Sequence, residues 1–379
     1  MRSSATSSRA AASDSQGRPS VDTSLDETQR LLRDSIRDYL TREVAFDRIR
    51  QIERDGGIDE ELWRHLATSG FLGLPFAEPI GGGGSLTDLA VVLEELTARA
   101  AVIPYMETMA AAVALDRHAG AETRPVLEAV TAGRMSISPA LTNDLPATSL
   151  PSGTLVGGRF SGARPLVDYA QDVTHHLVSV AEKGRPALAL VDRSEGGVSM
   201  TPLKQIGRTP LANVVYQDVP AEVVAGPEAV RFLHRLLRAL AAIQCVGNAQ
   251  QALNMSVEYV SMRVQFGRPI GTFQAVQHHC ANMATMTLGA RFLAYEAVWK
   301  LDHGLADDRL LARAKSWASK TAAEVPMLAH QLHGGIGYTE EHDLHFFSRR
   351  GKDRATAWGS ADECLSFLAD TLAEEPAWQ

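Results

Sequence analysis

Arg263-Val264-Gln265-Phe266-Gly267-Arg268-Pro269-Ile270-Gly271-Thr272-Phe273-Gln274 lies between two long runs of apolar residues at helical spacing. One bend gathers guanidinium groups, amides, aromatic rings and glycine turns. That is an inventory for a charged, planar cofactor. Arg forks onto phosphate oxygens. Gln pairs with phosphate or ring edges, and Phe covers a ring face. Spare backbone N–H groups at a helix terminus add affinity for anions. The plainer alternative is an ordinary helix–turn–helix corner with surface arginines, and the segment alone does not decide between them.

Outward from this bend the chain is helical. One helix is predicted to end near Arg263, a second to run from Phe273 to Gly304, a third from Asp307 to Leu332, and a last over Ser360–Leu372. Upstream, residues 136–225 alternate Gly, Pro and short apolar runs, among them Thr174–Val180, Ala187–Val191 and Asn213–Tyr216. That texture predicts a small β domain. Residues 25–135 are helical again. Leu31, Leu32, Ile36 and Leu40 recur at helix spacing, Asp59 and Ser85 are N-cap candidates, and Gly70 closes the helix that Asp59 opens. Gly81-Gly82-Gly83-Gly84 follows no strand and precedes no Gly-Lys-Ser/Thr, so it reads as a flexible turn rather than a phosphate loop. The expected organisation is a lead-in at 1–22, a helical domain at 23–135, a β domain of barrel or sandwich type at 136–226, and a helical bundle at 227–379. The fold class is α+β.

With 379 residues, 45% hydrophobic and 22% charged, the chain has the composition of a globular protein large enough for several domains. A net charge of -8 argues against general nucleic-acid binding, which needs a basic face. Cys245, Cys280 and Cys364 are odd in number and far apart, consistent with buried thiols in a reducing cytoplasm. Residues 1–22 are rich in Ser, Ala and Arg and are expected to be disordered; a transit peptide is the rival reading. No membrane insertion is expected. His330 and His333, and the adjacent His278 and His279, lack further ligands in register, so no metal is expected.

Three motifs in this domain order carry a resemblance. The first is Leu74-Pro75 with Ile80 through Leu89 and then Glu94-Glu95-Leu96. The second is Arg263 through Gln274. The third is Gln331-Leu332-His333-Gly334-Gly335-Ile336-Gly337-Tyr338, followed by Glu340-Glu341. Together they resemble the acyl-CoA dehydrogenase family over roughly residues 25–372. The resemblance implies an N-terminal α domain, a middle β domain, a C-terminal four-helix bundle, a tetramer, and FAD shared between two subunits. One subunit holds the flavin ring and acyl chain. Its neighbour offers groups to the pyrophosphate and adenine, here Arg263, Gln265, Phe266, Gln274, Gln331, Gly334 and Gly335.

The reaction that the family performs needs a carboxylate to take the proton α to a thioester carbonyl. At the common position of that Glu the chain has Trp358. At the alternative position, on the first bundle helix before an Arg, it has Leu237 followed by Arg238. Neither Trp nor Leu accepts a proton, so no catalytic residue is assigned. Arg238 is a substrate-side candidate, and the stripe Arg231, His234, Arg235 and Arg238 reads either as a solvated face or as a contact for CoA phosphate. In the β domain the family's flavin-ring motifs are eroded, and Thr142 is the one plausible survivor. The half of the site offered to a neighbour is intact while the chain's own half is not. This lopsidedness predicts a hetero-oligomer in which a catalytic acyl-CoA dehydrogenase subunit supplies the base. The resemblance is closest to the β-type subunits of actinobacterial heterotetrameric enzymes acting on steroid side-chain CoA thioesters, and the family likeness implies an electron-transferring flavoprotein or similar acceptor. Two alternatives stay open: a homomeric enzyme with a relocated base such as Asp353 or Glu363, and a flavin monooxygenase of the same fold.

Overall fold

A computed structural model describes residues 24–141 and 150–373. The expected disordered lead-in and Thr142 lie outside the described residues. Six helices come first: α1 (Glu27–Glu43), α2 (Phe46–Asp55), α3 (Glu60–Thr68), α4 (Leu86–Ala98), α5 (Tyr105–His118) and α6 (Arg124–Thr131). Their starts follow local chemistry. Asp26 and Ser85 each close a capping box, with Gln29 and Asp88, and the Asp59 side chain accepts the Leu62 N–H at 2.9 Å. The four-glycine stretch is not a flexible turn. Gly82 and Gly84 donate to Gly73 O and Leu74 O at 3.1 and 2.8 Å, and an added Cβ at Gly84 would meet Leu74 O at 2.7 Å. Close approach of backbone to backbone is what demands glycine there.

Eight strands follow: β1 (Ile137–Ala140), β2 (Thr154–Val156), β3 (Arg159–Asp168), β4 (His175–Glu182), β5 (Arg185–Asp192), β6 (Val198–Pro202), β7 (Leu211–Pro220) and β8 (Glu222–Ala225). They form two four-stranded sheets, in the orders β1-β4-β5-β8 and β2-β3-β7-β6. Val178, Val180, Ala189 and Val191 of one sheet and Phe160, Val214 and Tyr216 of the other share one apolar core. Alternation of buried and exposed residues along β7 is the period-two signal of a strand with one wet face.

The C-terminal part is α7 (Pro227–Met262), a short hairpin of β9 (Val264–Gln265) and β10 (Arg268–Pro269), α8 (Gln274–Asp302), α9 (Asp308–His333), α10 (Leu344–Thr356) and α11 (Ala361–Ala373). At 36 residues α7 is about 54 Å long. It is buried nearly all round, from Leu233 through Leu253, because α8, α9 and α10 pack on some sides and α4 and α5 on others. An all-round apolar helix of this kind belongs in the middle of a bundle. Helix α10 is absent from the sequence reading. Its Ser-Arg-Arg-Gly-Lys-Asp-Arg run looks like exposed loop, yet Phe346, Phe347, Arg350 and Arg354 are buried. Helix, sheet, helix is the α+β order expected. Among the described residues no helix is long and apolar enough to cross a membrane.

Candidate functional site

At one end of the bundle the second and third sequence motifs come together. Helix α7 stops at Arg263, whose N–H donates to Tyr259 O at 2.8 Å and whose carbonyl accepts the Ile270 N–H at 2.8 Å. That pair closes the β9–β10 hairpin. Its tip, Phe266-Gly267, has φ of +53° and +78°, the geometry of a two-residue hairpin turn. Phe266 is 91% exposed and meets Phe273 edge-on at 6.1 Å, and the Arg268 guanidinium lies 4.2 Å over the Phe273 ring. Helix α8 then begins at Gln274 with no side-chain cap, leaving its first amides available to a ligand. Helix α9 runs parallel to α7 and ends beside it, where His333 stacks on Tyr259 at 4.5 Å. Gly334 caps α9 with φ +61°, and a Cβ there or at Gly335 would meet nothing within 4 Å. Arg263, Gln265, Phe266, Gln274, Gln331, Gly334 and Gly335 are all exposed. Guanidinium, amides, free N–H groups and open glycines suit a diphosphate approaching from outside this chain.

The opposite half of the expected site is built differently. Trp358 follows the end of α10 with φ +58°, and its ring lies edge-on to His234 at 6.0 Å. Leu237 is fully buried. Arg238 is buried and donates through Nε to Trp358 O at 3.1 Å; burial lowers its pKa. The basic stripe is not free to hold CoA phosphate. Arg231 pairs with Glu228 at 3.0 Å, Arg235 forks onto Asp308 at 2.8 and 3.0 Å, and His234 is buried.

The acids weighed as relocated bases have other partners. Asp353 accepts the Gly207 N–H at 2.5 Å, and burial raises its pKa. Glu363 caps α11, accepting from Ser360 N at 2.7 Å, which lowers its pKa. Where the N-terminal helices, the sheets and the bundle meet, a cavity of about 50 Å³ is lined by Tyr105, Tyr169, Gln244, Asn248, Arg350 and Arg354, among others. It has room for a few waters, not for an acyl chain.

Charges fill that junction, and the sequence reading missed them. Arg354 bonds both Asp168 oxygens at 3.2 Å and lies 4.0 Å from Glu107. Arg349 and Arg350 both reach Glu53 on α2 at 2.9 Å, and Arg350 also donates to Ala100 O. Glu107 is fully buried; burial, then the charge of Asp168, push its pKa up to about 8 against the pull of Arg354. Burial opposes the charge of Arg354, but Asp168 and then Glu107 outweigh it and raise its pKa. The i, i+4 spacing of Arg350 and Arg354, on the same face as Phe346 and Phe347, was the available signal. Among the described residues, no group of three or more His, Cys, Asp or Glu is arranged to hold a metal.

Two family models match the chain: the acyl-CoA dehydrogenase N-terminal domain at residues 26–133 and the acyl-CoA dehydrogenase C-terminal domain at residues 230–374. The chain belongs to the acyl-CoA dehydrogenase family, and the family's cofactor is FAD. Among its relatives is acyl-CoA dehydrogenase FadE27 of Mycobacterium tuberculosis, 29% identical over 84% of this chain and 90% of that one. Acyl-CoA dehydrogenase IpdE2 of the same organism is 28% identical over 92% and 99%. Among solved structures, a variant of the Tcur3481–Tcur3483 steroid ACAD matches with TM-score 0.85 and 32% identity, covering 92% of this chain and 98% of that one. The ChsE4–ChsE5 complex from Mycobacterium tuberculosis matches with TM-score 0.87 and 26% identity, covering 94% and 100%.

Proposed function

We propose that this chain is a partner-dependent subunit of an FAD-linked acyl-CoA dehydrogenase, one that completes the flavin site of a catalytic subunit and carries no base of its own. The observation that carries the reading is one-sidedness. Arg263, Gln265, Phe266, Gln274, Gln331, Gly334 and Gly335 stand exposed at one end of the bundle, while the base positions hold Trp358 and Leu237. The small, charge-lined cavity supports the same conclusion.

Flavin bound at the junction of the two subunits would take up hydride from the thioester's β carbon. This chain's part is to bind and orient. Arg263 would neutralise the diphosphate, the α8 amides and the Gly334-Gly335 backbone would hydrogen-bond it, and Phe266 would exclude water from the adenine. The α proton would leave to a carboxylate on the partner. Relatives described as two-chain complexes and as steroid enzymes support a hetero-oligomer and a steroid-derived acyl-CoA substrate. A related caffeyl-CoA reductase–Etf complex subunit of Acetobacterium woodii, 26% identical, supports an electron-transferring flavoprotein as acceptor.

The test is to purify the chain alone and with a co-expressed acyl-CoA dehydrogenase encoded beside it, then count flavin per chain. Flavin is expected in the complex and absent from the lone chain, and Arg263→Ala is expected to strip flavin from the complex by about 10-fold or more in affinity. Stoichiometric flavin and desaturation by the lone protein would refute the proposal.

A further inference from the structure

Histidines that the flavin contact leaves unused hold the turn after α9 from inside. His330 and His333 stand on the last turn of α9, 5% and 3% exposed. His330 stacks on Tyr338 at 4.7 Å and His333 on Tyr259 of α7 at 4.5 Å, so the two rings tie the Gly334–Tyr338 turn to the end of α7. His342 lies edge-on to His333 at 4.8 Å.

Hydrogen bonds select neutral rings at His342 and His345, while the bond of His333 fixes the position of its ring. His333 Nδ1 donates to Ala329 O at 2.8 Å, and its Nε2 makes no hydrogen bond. His342 Nδ1 accepts the Leu344 N–H at 3.2 Å. His345 Nδ1 accepts from Arg349 at 2.9 Å while its Nε2 donates to Glu340 O at 3.1 Å. An imidazolium has no lone pair, so protonating His342 or His345 breaks an accepted bond.

The surrounding charges offer an imidazolium little compensation. From α2, Arg50 holds Asp343 at 2.5 Å. From α10 come Lys352 and Arg349, the latter holding Glu53 at 2.9 Å. From the loop before β7, Arg208 holds Glu340 at 2.9 Å. Glu341 is exposed. From α7 the neighbours are the Tyr259 ring and the Met255 backbone. Burial is the main cause that lowers the pKa of all four histidines, outweighing the Gly337 backbone beside His330 and the Ala329 and Met255 backbones beside His333.

We infer that His330 and His333 are positioning residues for the flavin-holding turn, and that their protonation in mild acid releases the turn from α7. The consequence for flavin rests on the proposed function; the release is a property of this chain alone. Groups kept neutral by folding stabilise the fold above the free imidazole value, and that contribution is lost as pH falls below about 6.5.

Hydrogen exchange of the full lone chain, read by mass spectrometry and corrected for intrinsic rates, tests the release. Peptides over the turn, residues 331–345, are expected to exchange about 10-fold faster near pH 5 than near pH 7.5, with α4 unchanged. Equal protection at the two pH values overturns the inference. The double variant His330→Phe, His333→Asn keeps a stacking ring and a donor to Ala329 O without titrating there, and it is expected to lose most of the acid response, with His342 and His345 accounting for the remainder. An acid response undiminished in that variant also overturns the inference. If the variant does not fold, the wild-type comparison still decides. In the co-purified complex, flavin retained near pH 5 while the turn exchanges freely leaves the latch standing and refutes the flavin contact instead.

Discussion

Replacing Glu107 by Gln separates a buried acid from every other contributor to stability. The carboxyl is fully buried on α5, its Oε1 makes no hydrogen bond, and its pKa is pushed from 4.5 up to about 8. Below about pH 4.5 it is protonated in both the folded and the unfolded chain and favours neither. As pH rises from there, the unfolded chain releases the proton while the folded chain keeps it, so folding loses stability until about pH 8. A difference of about 3.5 pH units at about 1.4 kcal/mol each sets an upper bound of about 5 kcal/mol. Relaxation around Arg354, which keeps both bonds to Asp168, makes about 2–3 kcal/mol a realistic gain near pH 8. Gln fills the same volume and cannot ionise. Guanidinium unfolding of wild type and Glu107→Gln, followed by circular dichroism from about pH 5 to about pH 8, should show near-equal midpoints at the acid end and a variant advantage that widens with pH. A constant difference across that range, or a wild type more stable at pH 8, would refute the assignment of Glu107 as a carboxyl kept neutral by burial.

Two other substitutions test the remaining structural claims. Trp358→Glu restores a carboxylate at the family's usual position, but the lone chain should still show no acyl-CoA desaturation, because the side chain at 358 lies against His234, its carbonyl is held by Arg238, and it does not line the junction cavity. Ser85→Ala removes the N-cap of α4, whose hydroxyl accepts the Asp88 N–H at 3.2 Å, and should cost about 1 kcal/mol, seen as a fall of about 2 °C in Tm.

Local chemistry made the helix starts legible: Asp59 and Ser85 cap where their side chains reach a backbone N–H three residues on. The bend between Arg263 and Gln274 and the glycine pair Gly334-Gly335 were readable because each motif is contiguous, although nothing in the residues signalled that the bend is a two-stranded hairpin. Helix α10 was not legible. Its arginines read as solvent-facing, and only acids from other parts of the chain, Glu53 and Asp168, make it possible to bury them. The four-glycine stretch reads as loose for a similar reason, because nothing local announces that Gly73 and Leu74 will lie against it.

From the order of residues alone came the three-part α+β architecture, the family, the intact motifs around Arg263 and Gln331, and the absence of a carboxylate at positions 237 and 358, all properties of short segments. The tertiary structure decided which of those motifs meet: α7 and α9 end side by side through the Tyr259–His333 stack, and residues some 70 positions apart become one surface. It also decided which charges are spent inside, since a buried arginine persists only where distant acids converge on it. Spacing along a helix can propose such a partner, but only packing can supply it.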